Sequence, residues 1–183
     1  MIDYQKLASA IAFYKQAGYS YIDVPWVVDA DVALITTEEN RLIKSDFGCL
    51  VGSAEQSFLQ VIYSDLLPKG KYVACTPCFR PDVNTYLHKQ YFMKVELIRT
   101  DKVDSDSLQE MINQCFHFYS VYVKCYIKET EEGFDIMSDE HIELGSYGIR
   151  SSPLVGEWIY GTGCAEPRLS AVHSLRRSIN IER

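Results

Sequence analysis

Apolar residues recur at helical spacing from the start of the chain. Leu7, Ile11, Ala12 and Tyr14 mark one side of a segment from Asp3 to Gln16, and Gly18 stands just past its end. This predicts a helix with an acidic first turn and a glycine stop. The next run, Tyr21-Ile22-Asp23-Val24-Pro25-Trp26-Val27-Val28, is rich in β-branched and aromatic residues and reads as a strand. Pro25 has no backbone N–H to donate, so that strand is expected at an edge or an interface. Ser57 to Leu67 returns to a helical pattern that meets Pro68 and Gly70. Two strand-like runs, Lys71 to Arg80 and Gln90 to Arg99, are joined by a short polar connection, which predicts an antiparallel hairpin. From Ser105 to about Lys128, Leu108, Met111, Ile112, Cys115, Phe118, Tyr119, Tyr122 and Val123 predict one long helix with Ser105 as its N-cap. Strands are expected at Phe134 to Met137, His141 to Tyr147 and Gly156 to Gly161, and an amphipathic helix from Arg168 to about Ile179. Hairpin-joined strands with a few long helices give an α+β fold class, a largely antiparallel sheet flanked by helices.

Composition narrows the function classes. The 183 residues are 47% hydrophobic and carry no repeat or low-complexity linker, so residues 1–183 are expected to form a single domain with its own core. Eighteen basic against 25 acidic side chains leave a net charge of −7, which offers a phosphate backbone no general attraction. No apolar run is long enough to span a bilayer and the first residues lack an export signal, so a soluble cytoplasmic protein is expected. In that setting the six cysteines are expected to be reduced. Cys75-Thr76-Pro77-Cys78 has the gap of a zinc or redox pair. It lacks a second pair at zinc-ribbon spacing and its neighbours read as a buried strand, which favours packed thiols.

Three segments carry residues suited to a nucleoside triphosphate. Phe79-Arg80-Pro81-Asp82, followed by His88, Phe92 and Glu96, lies on the two arms of the expected hairpin. Alternation along a strand puts Phe92, Lys94 and Glu96 on one face, where an arginine from the other arm would hold a phosphate and the ring would stack a base. Gly161-Thr162-Gly163 leads through Cys164, Ala165, Glu166 and Pro167 to Arg168 at the opening of a helix, where an arginine meets a phosphate as readily as it meets solvent. Gly52-Ser53-Ala54-Glu55 places a carboxylate after a small-residue turn, suited to a substrate ammonium; helix capping by Ser53 explains the same letters without a function.

Taken in order, these segments resemble the catalytic core of class II aminoacyl-tRNA synthetases, with a pattern nearest the seryl type, over most of the chain to Arg168. The first helix with Pro25 is similar to motif 1, the dimer-forming element. Phe79-Arg80-Pro81-Asp82 through His88, Phe92 and Glu96 is similar to motif 2, and Gly161 through Arg168 to motif 3. Gly52-Ser53-Ala54-Glu55 resembles the loop that holds the amino group of the amino acid, and Glu143-Leu144-Gly145-Ser146 the strand with metal-bridging Glu and Ser. The sequence departs from the family in carrying Asp82 where glutamate is usual and in a loop of only Val83 to Leu87, normally the loop that touches the acceptor end of tRNA.

The resemblance implies ATP-dependent activation of a small amino acid as its adenylate, with ATP and Mg²⁺ as cofactors. It implies Arg80 at the α-phosphate, Arg168 at the γ-phosphate, Asp82 and His88 assisting, Phe92 under the adenine, and Glu143 and Ser146 on the metal. Ser53, Glu55, Glu96 and Thr162 would line the amino-acid pocket, favouring a small polar residue such as serine. It further implies a homodimer through the Pro25 strand, no anticodon-binding domain, and an acceptor open among tRNA, a carrier-protein thiol and a small amine, with tRNA least favoured by the short loop. A non-catalytic paralogue that binds ATP or an amino acid and regulates a partner is the alternative, since one fold serves several functions.

Overall fold

A computed structural model of the chain describes residues 1–85 and 89–181, with side chains given through Leu175. The helix α1 spans Tyr4–Gln16; Asp3 accepts from the backbone N–H groups of Gln5 and Lys6 and so stands at the cap, before the first turn. Gly18 follows at φ +92°, a left-handed turn that costs glycine little and ends the helix.

The expected strand Tyr21 to Val28 is split. Its ends form β1 (Ser20–Tyr21) and β2 (Val27–Val28) in two different sheets, and Pro25 falls in the unpaired stretch between, as its missing donor requires. A small region follows that the hydrophobic pattern did not reveal: α2 (Ala30–Ala33), a 3-10 turn at Glu39–Arg41, β3 (Ile43–Ser45) and β4 (Gly48–Leu50), with β2, β4 and β3 forming a three-stranded sheet. The helix α3 spans Ala54–Tyr63 and is capped by Ser53, three residues before the expected start.

The predicted hairpin is present as β5 (Lys71–Phe79) and β6 (Tyr91–Arg99), antiparallel throughout. The helix α4 runs only from Ser105 to Ser120 and takes Asp104, not Ser105, as its N-cap. The expected continuation to Lys128 fails because Cys125–Thr130, rich in β-formers, pairs as β7 with β8 (Gly133–Ser138). Two longer strands, β9 (Glu143–Ser152) and β10 (Gly156–Glu166), and the helix α5 (Arg168–Ile181) complete the chain.

The main sheet has seven strands in the order β1-β5-β6-β10-β9-β8-β7, antiparallel except for the short β1–β5 edge. One face is covered by α1, α4 and α5, which bury Leu7, Tyr14, Met111, Tyr119, Tyr147, Leu169 and Val172 in a shared core. On the other face α2 and α3 cover one end, over Phe58, Leu59, Ala74, Ile98 and Trp158. The rest of that face is open, and the polar residues of the sheet's centre look into it.

Candidate active site

Strand alternation selects the side chains on the open face. On β6 these are Phe92, Lys94 and Glu96, paired across the ladder with Cys78, Thr76 and Ala74 of β5. Arg80 leaves the end of β5 with its Nε donating to the Gly52 carbonyl oxygen (3.1 Å) and its guanidinium 5.2 Å from the centre of the Phe92 ring. Asp82 is held by Arg41, whose Nη2 lies 2.9 Å from its Oδ1. Arg41 sits on the 3-10 turn, so this pair spans the mouth of the site. His88 lies outside the described residues.

Regular alternation would put Glu143 and Ser146, three apart, on opposite faces. The ladder avoids this with one extra residue: Met137 faces Glu143 and Ile136 faces Gly145, so Leu144 is bulged and both side chains emerge on the open face. A second bulge at Gly163 lets Thr162, opposite Glu96, and Ala165, opposite Lys94, share that face. Bulges interrupt the ladder, and three buried tyrosines bond the carbonyls there. Tyr119 donates to the oxygen of Leu144 (3.0 Å), Tyr147 to that of Thr162 (2.7 Å) and Tyr14 to that of Gly163 (2.9 Å). Burial raises all three phenols well above their ordinary value.

Arg80, Phe92, Lys94, Glu143, Thr162 and Arg168 meet around a small cavity of about 40 Å³. Arg168 opens α5 and stands 3.4 Å from Glu143, a long pair between a partly buried cation and a half-exposed acid. Ser146 donates a short hydrogen bond to Asp135 of β8.

A larger cavity, about 450 Å³, adjoins through Arg80, Lys94 and Thr162 and is lined also by Ser53, Glu55, Glu96, Ser146 and Arg150. Its two buried acids, Glu96 and Glu55, are already engaged. Glu96 accepts from the Ser53 hydroxyl (2.9 Å), the Ala54 N–H and Lys94 (2.6 Å). Glu55 is 7% exposed and accepts from Trp158 Nε1 and Arg150 Nη1, each at 2.8 Å. Its carboxyl is pushed up by burial, opposed by Arg150 and the Trp158 bond. Ser53 caps α3, accepting from the Glu55 N–H (3.2 Å), and also lines the cavity. An ammonium at Glu55 would therefore meet a carboxylate that already accepts one bond on each oxygen.

Cys75 and Cys78, three apart on an uninterrupted strand, point to opposite faces, and burial pushes their thiols up to about 11 and about 12. All six cysteines are unpaired, and no cluster of three or more His, Cys, Asp or Glu residues is placed to hold a metal among the described residues. The two thiols thus do not converge on one face of the strand.

Arg150, Arg41, Trp158 and Asp135 were missed by sequence reasoning. Arg150 was accessible to it: from Ser146 every second residue shares the open face, and extending the strand beyond Tyr147 would have reached it.

The fold as a whole superposes on solved structures of aminoacyl-tRNA synthetases. The fold is that of a class II aminoacyl-tRNA synthetase catalytic core. A pyrrolysyl-tRNA synthetase from Desulfitobacterium hafniense superposes at a TM-score of 0.68 with 16% identity, over 93% of this chain and 65% of its own. A cytoplasmic serine–tRNA ligase from Naegleria fowleri, in complex with AMP, gives 0.69 and 16% over 91% and 47%. The chain thus spans about half to two thirds of these synthetase chains. No protein-family model and no curated protein matches the sequence, so the class II likeness is one of architecture. No helix among the described residues is long and apolar enough to cross a membrane.

Proposed function

We propose that the protein binds ATP and activates an amino acid as its aminoacyl-adenylate. The observation that carries this reading is the convergence of Arg80, Phe92, Glu143 and Arg168 from β5, β6, β9 and α5 on one cavity, although they span 89 positions of sequence (168 − 80 + 1). Adenine stacks on Phe92, the α-phosphate meets Arg80 and the γ-phosphate meets Arg168. His88 assists at the phosphates, and Asp82 acts through Arg41 at the mouth of the site. Ser53, Glu96 and Thr162 line the amino-acid side.

An oxygen of the amino-acid carboxylate attacks the α-phosphorus and forms the acyl–phosphate bond. The bond from that phosphorus to the bridging oxygen breaks, and its electron pair leaves with pyrophosphate. No protein nucleophile is required, and the buried Cys78 thiol, raised to about 12, stays protonated. Rate enhancement comes from alignment and from fixed cations facing the developing charge. Glu143 and Ser146, brought to one face by the bulge at Leu144, would hold Mg²⁺, which would supply charge neutralisation on the phosphates. A homodimer through the Pro25 segment, and an acceptor among tRNA, a carrier-protein thiol and a small amine, complete the proposal.

Amino-acid-dependent ATP–pyrophosphate exchange, with the proteinogenic amino acids supplied singly, tests the reading. Exchange with one of them is expected. Silence with all, alongside measurable ATP binding, assigns a regulatory role instead.

A further inference from the structure

Arg150 is the part of the larger cavity that amino-acid activation as written does not use. Its Nη1 is fixed by Glu55, whose other oxygen is fixed by Trp158, and its guanidinium lies 4.1 Å from the centre of the Tyr160 ring. Gly148 leaves room for that ring, because a Cβ there would come within 2.8 Å of the Tyr160 hydroxyl and of the Glu132 carbonyl oxygen. The cation is therefore oriented before any ligand arrives. A guanidinium has five N–H donors, and among the described residues only the bond to Glu55 uses one. The other acid nearby, Glu132, is 3.6 Å from Nη2 and 83% exposed, a weak solvated partner.

The two buried acids of the wall each have their own cation, Arg150 for Glu55 and Lys94 for Glu96, and Arg80 adds a further positive charge. Arg41, Glu38 and Glu132 also line the cavity, so its cations and acids balance, and the unused donors of Arg150, not a surplus of charge, are what an incoming anion meets. A guanidinium held along one edge presents the remaining edge as a fork, the geometry that receives a carboxylate through two parallel bonds.

We propose that Arg150 is the specificity-determining residue of this cavity, and that the amino acid activated carries a side-chain carboxylate which Arg150 receives. Glu55 is then the positioning residue that holds the fork. This rests on the amino-acid-binding reading above and names its substrate class as acidic instead of small and neutral.

The test titrates aspartate, glutamate, asparagine, glutamine and serine singly into isotope-labelled protein, followed by NMR, so that binding is read without turnover. One of the two acids is expected to bind at least tenfold tighter than its amide and than serine. Arg150→Gln should abolish that preference. Because Arg150→Gln leaves Glu55 buried without its counter-charge, Arg150→Lys is made as well; it keeps a charge there, should keep the thermal unfolding transition, and should lose most of the preference with the fork. Serine or an amide binding as well as the acid, a preference that survives both variants, or no binding of either acid would overturn the proposal. Acid-selective binding with silent pyrophosphate exchange supports it while removing the activation reading. Exchange with serine and no acid binding does the reverse.

Discussion

The two cavities that meet at Arg80 are built on different terms. In the smaller one the charges are loosely matched: Arg168 and Glu143 stand 3.4 Å apart and partly exposed, and Arg80 bonds a backbone carbonyl and lies beside an aromatic ring. In the larger one both buried acids, Glu55 and Glu96, are bonded to fixed donors. A loose set of cations is suited to a polyanion that arrives with its own counter-ion. A network of fixed bonds holds one shape and discriminates among small ligands, because a misfit leaves buried polar groups unpaired.

The contrast is broken most severely at Glu55. Glu55→Ala strands Arg150 and the Trp158 N–H, and should cost about 3–5 kcal/mol of stability in denaturant unfolding. In the smaller cavity Arg80→Ala should leave the unfolding curve nearly unchanged and lower pyrophosphate exchange by roughly a hundred- to a thousandfold, about 2.7–4 kcal/mol of transition-state stabilisation. An equal loss of stability in both variants would erase the distinction. Next in size is Tyr147→Phe, which leaves the Thr162 carbonyl only the longer bond from Tyr119 (3.3 Å) and should cost about 0.5–1.5 kcal/mol. Arg41→Ala removes only an exposed pair with Asp82, so its effect on unfolding should stay within roughly 1 kcal/mol. A larger loss there would show the mouth of the site to be as rigid as its floor.

These two regions were not equally legible in the sequence. Arg80, Phe92 and Glu96 could be placed from alternation alone, because the hairpin strands are uninterrupted and the connection is short. Glu143 with Ser146 could not, since three positions on a regular strand mean opposite faces; only the resemblance linked them, and the bulge at Leu144 supplies the physical reason. The end of α4 was misjudged because Tyr122 and Val123 continue the helical spacing, while pairing of β7 with β8 lies outside any local pattern. The small sheet of β2, β4 and β3 is built from strands of two and three residues, too short to show a period. Arg150 was lost with the end of β9, and with it the cation that pairs with Glu55.

The tyrosines at the bulges also set an alkaline limit on the whole molecule. Tyr14, Tyr119 and Tyr147 are held as neutral phenols, well above the ordinary value of 10.0, while the unfolded chain releases those protons near it. The folded state therefore binds more protons than the unfolded state once pH passes that point, and stability drains away as pH climbs further. In a spectrophotometric titration these three should ionise together with the collapse of the fold. Their absorbance step would report the opening of the sheet at the very strands that carry the site.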